Sequence, residues 1–201
     1  MHPILTQRLR IKSVRVTQGM LVWTKDDGYQ PIRWIGTRQM SKVELEEHAD
    51  VRPIRIKAGA LGQNLPERDL AVSPQHRILV NSKLVRRLHV EDEVLVAAIH
   101  LTQVEGINVV QDADSITHAH FLLGRHQIVE SEGAETESLF TGPEALKTVD
   151  SAAPVEILRL FPELASINYD CLPESVRPIL SGRQGRKLAN RHANNKKHLA
   201  Q

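Results

Sequence analysis

The chain has 201 residues, 41% of them hydrophobic and only 3% aromatic, and its 26 basic and 24 acidic residues leave a net charge of +2. That length and apolar content can bury a real core, as one domain or as one domain with an appendage, and the core must rest on Val, Ile and Leu. A single cysteine excludes an internal disulfide, and no apolar run approaches the eighteen residues of a membrane-spanning helix, so a soluble chain, cytoplasmic by default, is the expectation.

Met1 to Lys12 carries Arg8, Arg10 and Lys12 but no apolar stretch long enough for the centre of a signal peptide. From about Gly19 to Glu130 the apolar runs are short, rich in Val and Ile, and punctuated by turn residues. Met20-Leu21-Val22-Trp23-Thr24 and Pro31-Ile32-Arg33-Trp34-Ile35 flank Asp27-Gly28, which predicts a hairpin. Ser41 and Glu44 form a capping-box pair and predict a short helix. Further strands are predicted at Ile54–Ile56, Asp69–Val72, Arg77–Val80, Val94–Ala97, Asn108–Val110, His120–Leu123 and Gln127–Val129. Many short strands at this spacing argue for an all-β body rather than a βαβ sheet. No internal repeat and no low-complexity tract interrupts it.

The pattern changes at Gly142. Pro143-Glu144-Ala145-Leu146 suits a helix start, with proline in the first turn and an acidic side chain near the positive end of the dipole. Val155, Leu158 and Phe161 repeat at helical spacing before Pro162, and Val176, Ile179 and Leu180 form another short apolar face. The reading is a mainly β domain over residues 1–141 and a helical appendage over 142–201. The appendage is strongly basic. After Glu174 there is no acidic residue, while Arg177, Arg183, Arg186, Lys187, Arg191, Lys196 and Lys197 supply seven charges. Removing those seven from the 26 basic residues leaves 19 against 24 acidic ones in positions 1–174, a net −5. Such a tail could touch nucleic acid or an anionic surface. The simpler expectation is a solvated helix fraying into a disordered polar end. With no aromatic residue after Tyr169 to stack bases, nucleic acid is not the expected partner, and no membrane contact is expected.

Few residues are candidates for chemistry. There is no glycine-rich phosphate loop, no paired CxxC and no HExxH. His118 and His120 would share a strand face, but they lack a matching cysteine or convergent carboxylate, so no metal and no cofactor are expected. His126 opens a strand and fits a structural or a functional role equally; His100 closes one and is most simply a rim residue. Ser73-Pro74-Gln75-His76-Arg77 is more specific. Pro74 fixes its own φ and biases Ser73 toward extended geometry, so the bend is reproducible. An imidazole held there could pass a proton to a leaving amide nitrogen, or it could simply be a hydrogen-bonded turn histidine.

Several runs carry a family resemblance. They are Gln30-Pro31-Ile32-Arg33-Trp34-Ile35-Gly36, Pro53-Ile54-Arg55-Ile56-Lys57-Ala58-Gly59-Ala60-Leu61-Gly62, and Leu65-Pro66-Glu67-Arg68-Asp69-Leu70 leading into Ser73–Arg77. Phe121 to Val129, Glu132 to Ser138, and Leu160-Phe161-Pro162-Glu163-Leu164 continue it. Over roughly Gly19 to Leu188 the chain resembles the bacterial branch of the Hint (Hedgehog/intein) domain family. The resemblance implies an all-β horseshoe built for self-processing, acting on an upstream polypeptide in cis. In that family an N-terminal cysteine attacks the preceding carbonyl to form a thioester, and a histidine in a Thr/Ser-x-x-His motif helps the amide nitrogen leave. Ser73 and His76 match that motif. His76 is therefore expected in a cleft, with Ser73 on its turn and His126 or Asp69 within reach.

The family's opening block, a cysteine followed shortly by Gly-Thr, does not occur in this chain, and Cys171 lies far from the start. Thr6, Ser13 and Thr17 offer only hydroxyls outside any recognisable block. Three readings follow: a Hint domain truncated before its nucleophile and inactive as written, a degenerate Hint-like binding module using its basic C-terminal tail, or a protein that cleaves through an unconventional hydroxyl. The first is favoured.

Overall fold

The computed structural model describes residues 16–88, 91–140, 159 and 175–200. The predicted hairpin is present. β1 (Leu21–Thr24) pairs with β2 (Gly28–Pro31), Thr24 opposite Gly28, leaving Lys25-Asp26-Asp27 as the loop. Gly28 sits at φ +64°, where a side chain would be strained, and the Thr24 hydroxyl donates to its carbonyl at 2.7 Å. β3 (Trp34–Ser41) follows, so Ile32 and Arg33 form a break between strands rather than the middle of one. Ser41 ends β3 and caps α1 (Lys42–Glu47) with the predicted capping box, its hydroxyl accepting from the Glu44 amide.

β4 (Ile54–Ile56), β5 (Leu70–Val72), β6 (Arg77–Val80), β7 (Val94–Ala97) and β8 (Ile107–Val109) are all antiparallel to their strand neighbours, as are β9 (Ser115–Leu122), β10 (Ile128–Ser131) and β11 (Ala134–Glu137). They form three sheets: β2-β1-β10-β11-β6-β7, the long ribbon β3-β9, and β5-β4-β8. The mainly β architecture expected from the sequence is therefore present. Helix is not confined beyond Gly142, however. Besides α1, α2 (Lys83–Leu88) lies between β6 and β7, where the Ser82 hydroxyl accepts from the Val85 amide and Leu84 and Val85 are buried. Two buried residues on so short a helix leave too little periodicity to read.

Ile54, Ile56, Leu70, Ile78, Val80, Val94, Val96 and Leu101 form the main core, and each such side chain fully withdrawn from water contributes about 1.5–3 kcal/mol. That core also contains Leu180, Leu188, Ala189 and Leu199. The C-terminal residues are thus part of the packing, not a fraying tail. Ile179 extends the β7 edge, with the Leu95 amide donating to Pro178 at 2.9 Å and the Leu180 amide to Leu95 at 3.0 Å. α3 (Gly182–Asn195) follows, capped by Ser181 and Gln184. His192, 1% exposed, lies with its Nε2 2.9 Å from the Ser82 hydroxyl and its Nδ1 3.0 Å from the Lys197 carbonyl. Cations dominate the sequence of this segment, but Leu188, Ala189 and His192 share one helical side and bury it. The helices expected from Pro143 and from Val155, Leu158 and Phe161, like the division at residue 142, lie outside the described residues.

The last residues cross a loop that only glycine fits. Leu199 and Ala200 both donate to the Leu61 carbonyl at 2.9 Å, and Gly62, at φ +103°, faces His198 so closely that an added Cβ would sit 2.3 Å from the His198 Cβ. Gly62→Ala is expected to destabilise by more than about 1 kcal/mol, and Leu188→Ala by about 2–5 kcal/mol. Urea unfolding of the full chain checks both. Two neutral results would mean that the C-terminal segment does not pack as described.

Candidate active site

The Ser73–His76 turn forms because proline presets it and neighbouring backbone holds it. The His76 amide donates to Ser73 O at 3.1 Å. Ala98 and Ile99 donate their amides to His76 O and Pro74 O, both at 2.9 Å. The turn is thus fastened to the 3-10 turn Ala98–Leu101 at the end of β7. Ser73 is 4% exposed, and its hydroxyl has no hydrogen-bond partner among the described residues.

Directly after the turn, Arg77 opens β6 and meets Glu137 at the end of β11. The Glu137 carboxylate accepts from the Arg77 backbone amide at 2.9 Å and from its guanidinium at 3.0 and 3.2 Å. His126 Nε2 lies 3.0 Å from the same carboxylate. The Val176 amide donates to His126 Nδ1 at 3.3 Å, so Nδ1 carries the lone pair and Nε2 the proton given to Glu137. Phe140 stacks on the His126 ring with centroids 4.5 Å apart. His126 is therefore clamped on both nitrogens and one face, which suits positioning better than proton transfer.

The electrostatics follow from burial. Burial alone would raise the Glu137 carboxyl, but the Arg77 charge and then the His126 hydrogen bond override it and hold the group at about 2. Burial lowers His76, with Arg77 and His126 lowering it further and Glu137 opposing them. Burial, then His76 and His118, pushes His120 down to about 3. The His76 and His120 rings stand 6.0 Å apart between centroids. Burial thus disfavours the charged form of the His76 imidazole, and a neutral imidazole can accept a proton from an attacking group and return it to a leaving nitrogen.

The structure thus brings His76, Ser73 and His126 into one neighbourhood. Asp69 is turned elsewhere: its exposed carboxylate accepts from the Ala58 amide at 3.0 Å. Glu137 is the residue the sequence did not single out, while His120 was weighed only as a metal ligand and Arg77 only as part of the motif. Arg77 adjoins the motif, but nothing in the run Glu135-Thr136-Glu137 separates the buried acid from Glu135, which faces Lys25. His118 and His120 do share the buried side of β9, yet among the described residues no group of three or more His, Cys, Asp or Glu is placed to hold a metal.

Two outcomes follow. The unfolded chain binds protons at His76, His118, His120 and His192 more readily than the folded one, because burial is the first cause lowering each of them. Stability should therefore be full above the ordinary histidine value of about 6.5 and fall as pH drops below it, with a further loss from Glu137 between 4.5 and about 2. Thermal melting across pH checks the sign. Glu137→Gln strands the Arg77 charge and should destabilise by about 3–5 kcal/mol, read by urea unfolding.

No curated protein and no solved structure matches this chain. The family model described as Hint domain matches residues 3–143, well over half of the chain, and takes in the Ser73–His76 turn, His126 and Glu137. This chain belongs to the Hint domain family.

Proposed function

We propose that this Hint domain is related to self-cleaving peptide-bond rearrangement of a polypeptide joined to it upstream, and that this polypeptide by itself does not cleave. The carrying observation is the pairing of His76, fixed beside the Arg77–Glu137–His126 network, with a sequence whose one cysteine is Cys171. The proton-transfer half of the reaction has a residue suited to it. The covalent half needs a nucleophile on the residue directly after the scissile carbonyl, so that the new thioester or ester forms as the amide nitrogen leaves with a proton. Thr17 is exposed on the loop ahead of β1, and neither it nor Thr6 or Ser13 sits in an opening block. Proton transfer is worth about 10²–10⁴-fold and does not replace the covalent step.

A second reading, a binding module working through its basic C-terminal segment, is favoured by a separate observation. The cations of α3 lie on an ordered helix whose other side is in the core.

The chain fused behind a carrier protein and incubated with dithiothreitol should remain intact by mass spectrometry. Release of the carrier with a new end at Thr6, Ser13 or Thr17, abolished by His76→Ala, would overturn the inactive assignment and favour a hydroxyl nucleophile.

A further inference from the structure

α3 is divided lengthwise. Gly182, Gly185, Leu188, Ala189 and His192 are buried, while Arg183, Arg186 and Lys187 are exposed and Arg191 is half-buried. Lys196 and Lys197 extend the exposed side just past the helix end. Arg183, Lys187 and Arg191 stand four residues apart, one cation every ~6 Å along one row. Like charges at this spacing destabilise a helix. The fold does not relieve that repulsion: Arg183, Lys187, Arg191, Lys196 and Lys197 have no ion pair among the described residues. α2 lies alongside through the Ser82–His192 contact and adds exposed Arg86 and Arg87, of which Arg86 pairs with Asp92. Positions 1–174 carry a net −5, so positive charge is gathered on this side.

The chemistry of the face selects its occupant. Insertion of an amphipathic helix into a bilayer needs a free apolar side, and the apolar side of α3 is already in the core. Single strands are gripped by stacking, and no aromatic residue follows Tyr169. A duplex offers a regular row of phosphates, which Lys and Arg neutralise without reading bases. Exposed Asn190 and Asn194 add uncharged donors suited to phosphate oxygens.

We propose that the exposed side of α3, flanked by α2, binds the phosphate backbone of duplex DNA without sequence preference. Arg183, Lys187, Arg191, Lys196 and Lys197 make the contacts. The proposal rests on the second reading of function and departs from the expectation that these cations form a frayed tail with no nucleic-acid partner. It is independent of any chemistry at His76.

The test uses the full chain and a fluorescent random duplex of about 20 base pairs, followed by anisotropy between about 50 and 200 mM salt. Binding should weaken with salt at a log–log slope approaching about −4.5 if all five cations act. Arg183→Ser/Lys187→Ser/Arg191→Ser should weaken binding at least about tenfold near 50 mM salt and flatten the slope by about 2–3. Unchanged thermal melting would show that α3 stays docked. Lys196→Ser/Lys197→Ser, beyond the helix, gives a second variant and should flatten the slope by about 2. Tighter binding to a matched single strand or to phosphatidylserine vesicles would overturn the proposal, as would duplex binding that ignores both variants. Retention of the wild type on heparin without duplex binding would overturn the DNA assignment alone. Elution of wild type and triple variant from heparin at the same salt would overturn the binding reading as well.

Discussion

One carboxylate holds the centre of this protein together. Glu137 lies 5% exposed at the end of β11, where it gathers the Arg77 backbone amide, the Arg77 guanidinium and the His126 ring. A buried ion pair is weak evidence of net stability, since the cost of drying two charges is large. Its effect here is geometric. The carboxylate joins β11 to β6 at the residue following His76, and through His126 it reaches Val176 in the C-terminal segment. The turn that presents His76 has no free direction in which to drift, because Ala98 and Ile99 hold its other side.

Those constraints explain which parts of the fold could be read in the sequence. Ile54 and Ile56 alternate with exposed Arg55, and the capping box at Ser41 and the glycine at the first hairpin act within a few residues. Local chemistry sufficed for them. The second half of β3, Thr37-Arg38-Gln39-Met40-Ser41, gives little local strand signal, because its five pairs are made with β9, far along the chain. β11 was hidden in a different way. Thr136 and Glu137 are polar side chains in a buried strand, and alternation of hydrophobicity has nothing to register there.

The site divides along the same line. His76 and Ser73 were legible because proline and a histidine three residues after a hydroxyl form a local pattern. Glu137 and His120 reach the site only through sheet pairing. Asp69 shows the opposite error: it is close to the motif in sequence, yet its carboxylate closes a turn onto Ala58. The C-terminal segment was misread because its seven cations outweigh the four apolar residues that pack, Leu180, Leu188, Ala189 and Leu199.

The docking of that segment has a consequence for how the molecule is made. A chain leaves the ribosome from its first residue onward, at about 5–20 residues per second. Here Leu199 belongs to the same apolar cluster as Ile54 and Ile78, and the lone pair of His126 is met by Val176. Every strand of the sheets has been synthesised before these partners exist. The core and the histidine cluster lack these partners until synthesis has passed residue 199. The strands made early in the chain therefore complete their packing only when the C-terminal segment joins them.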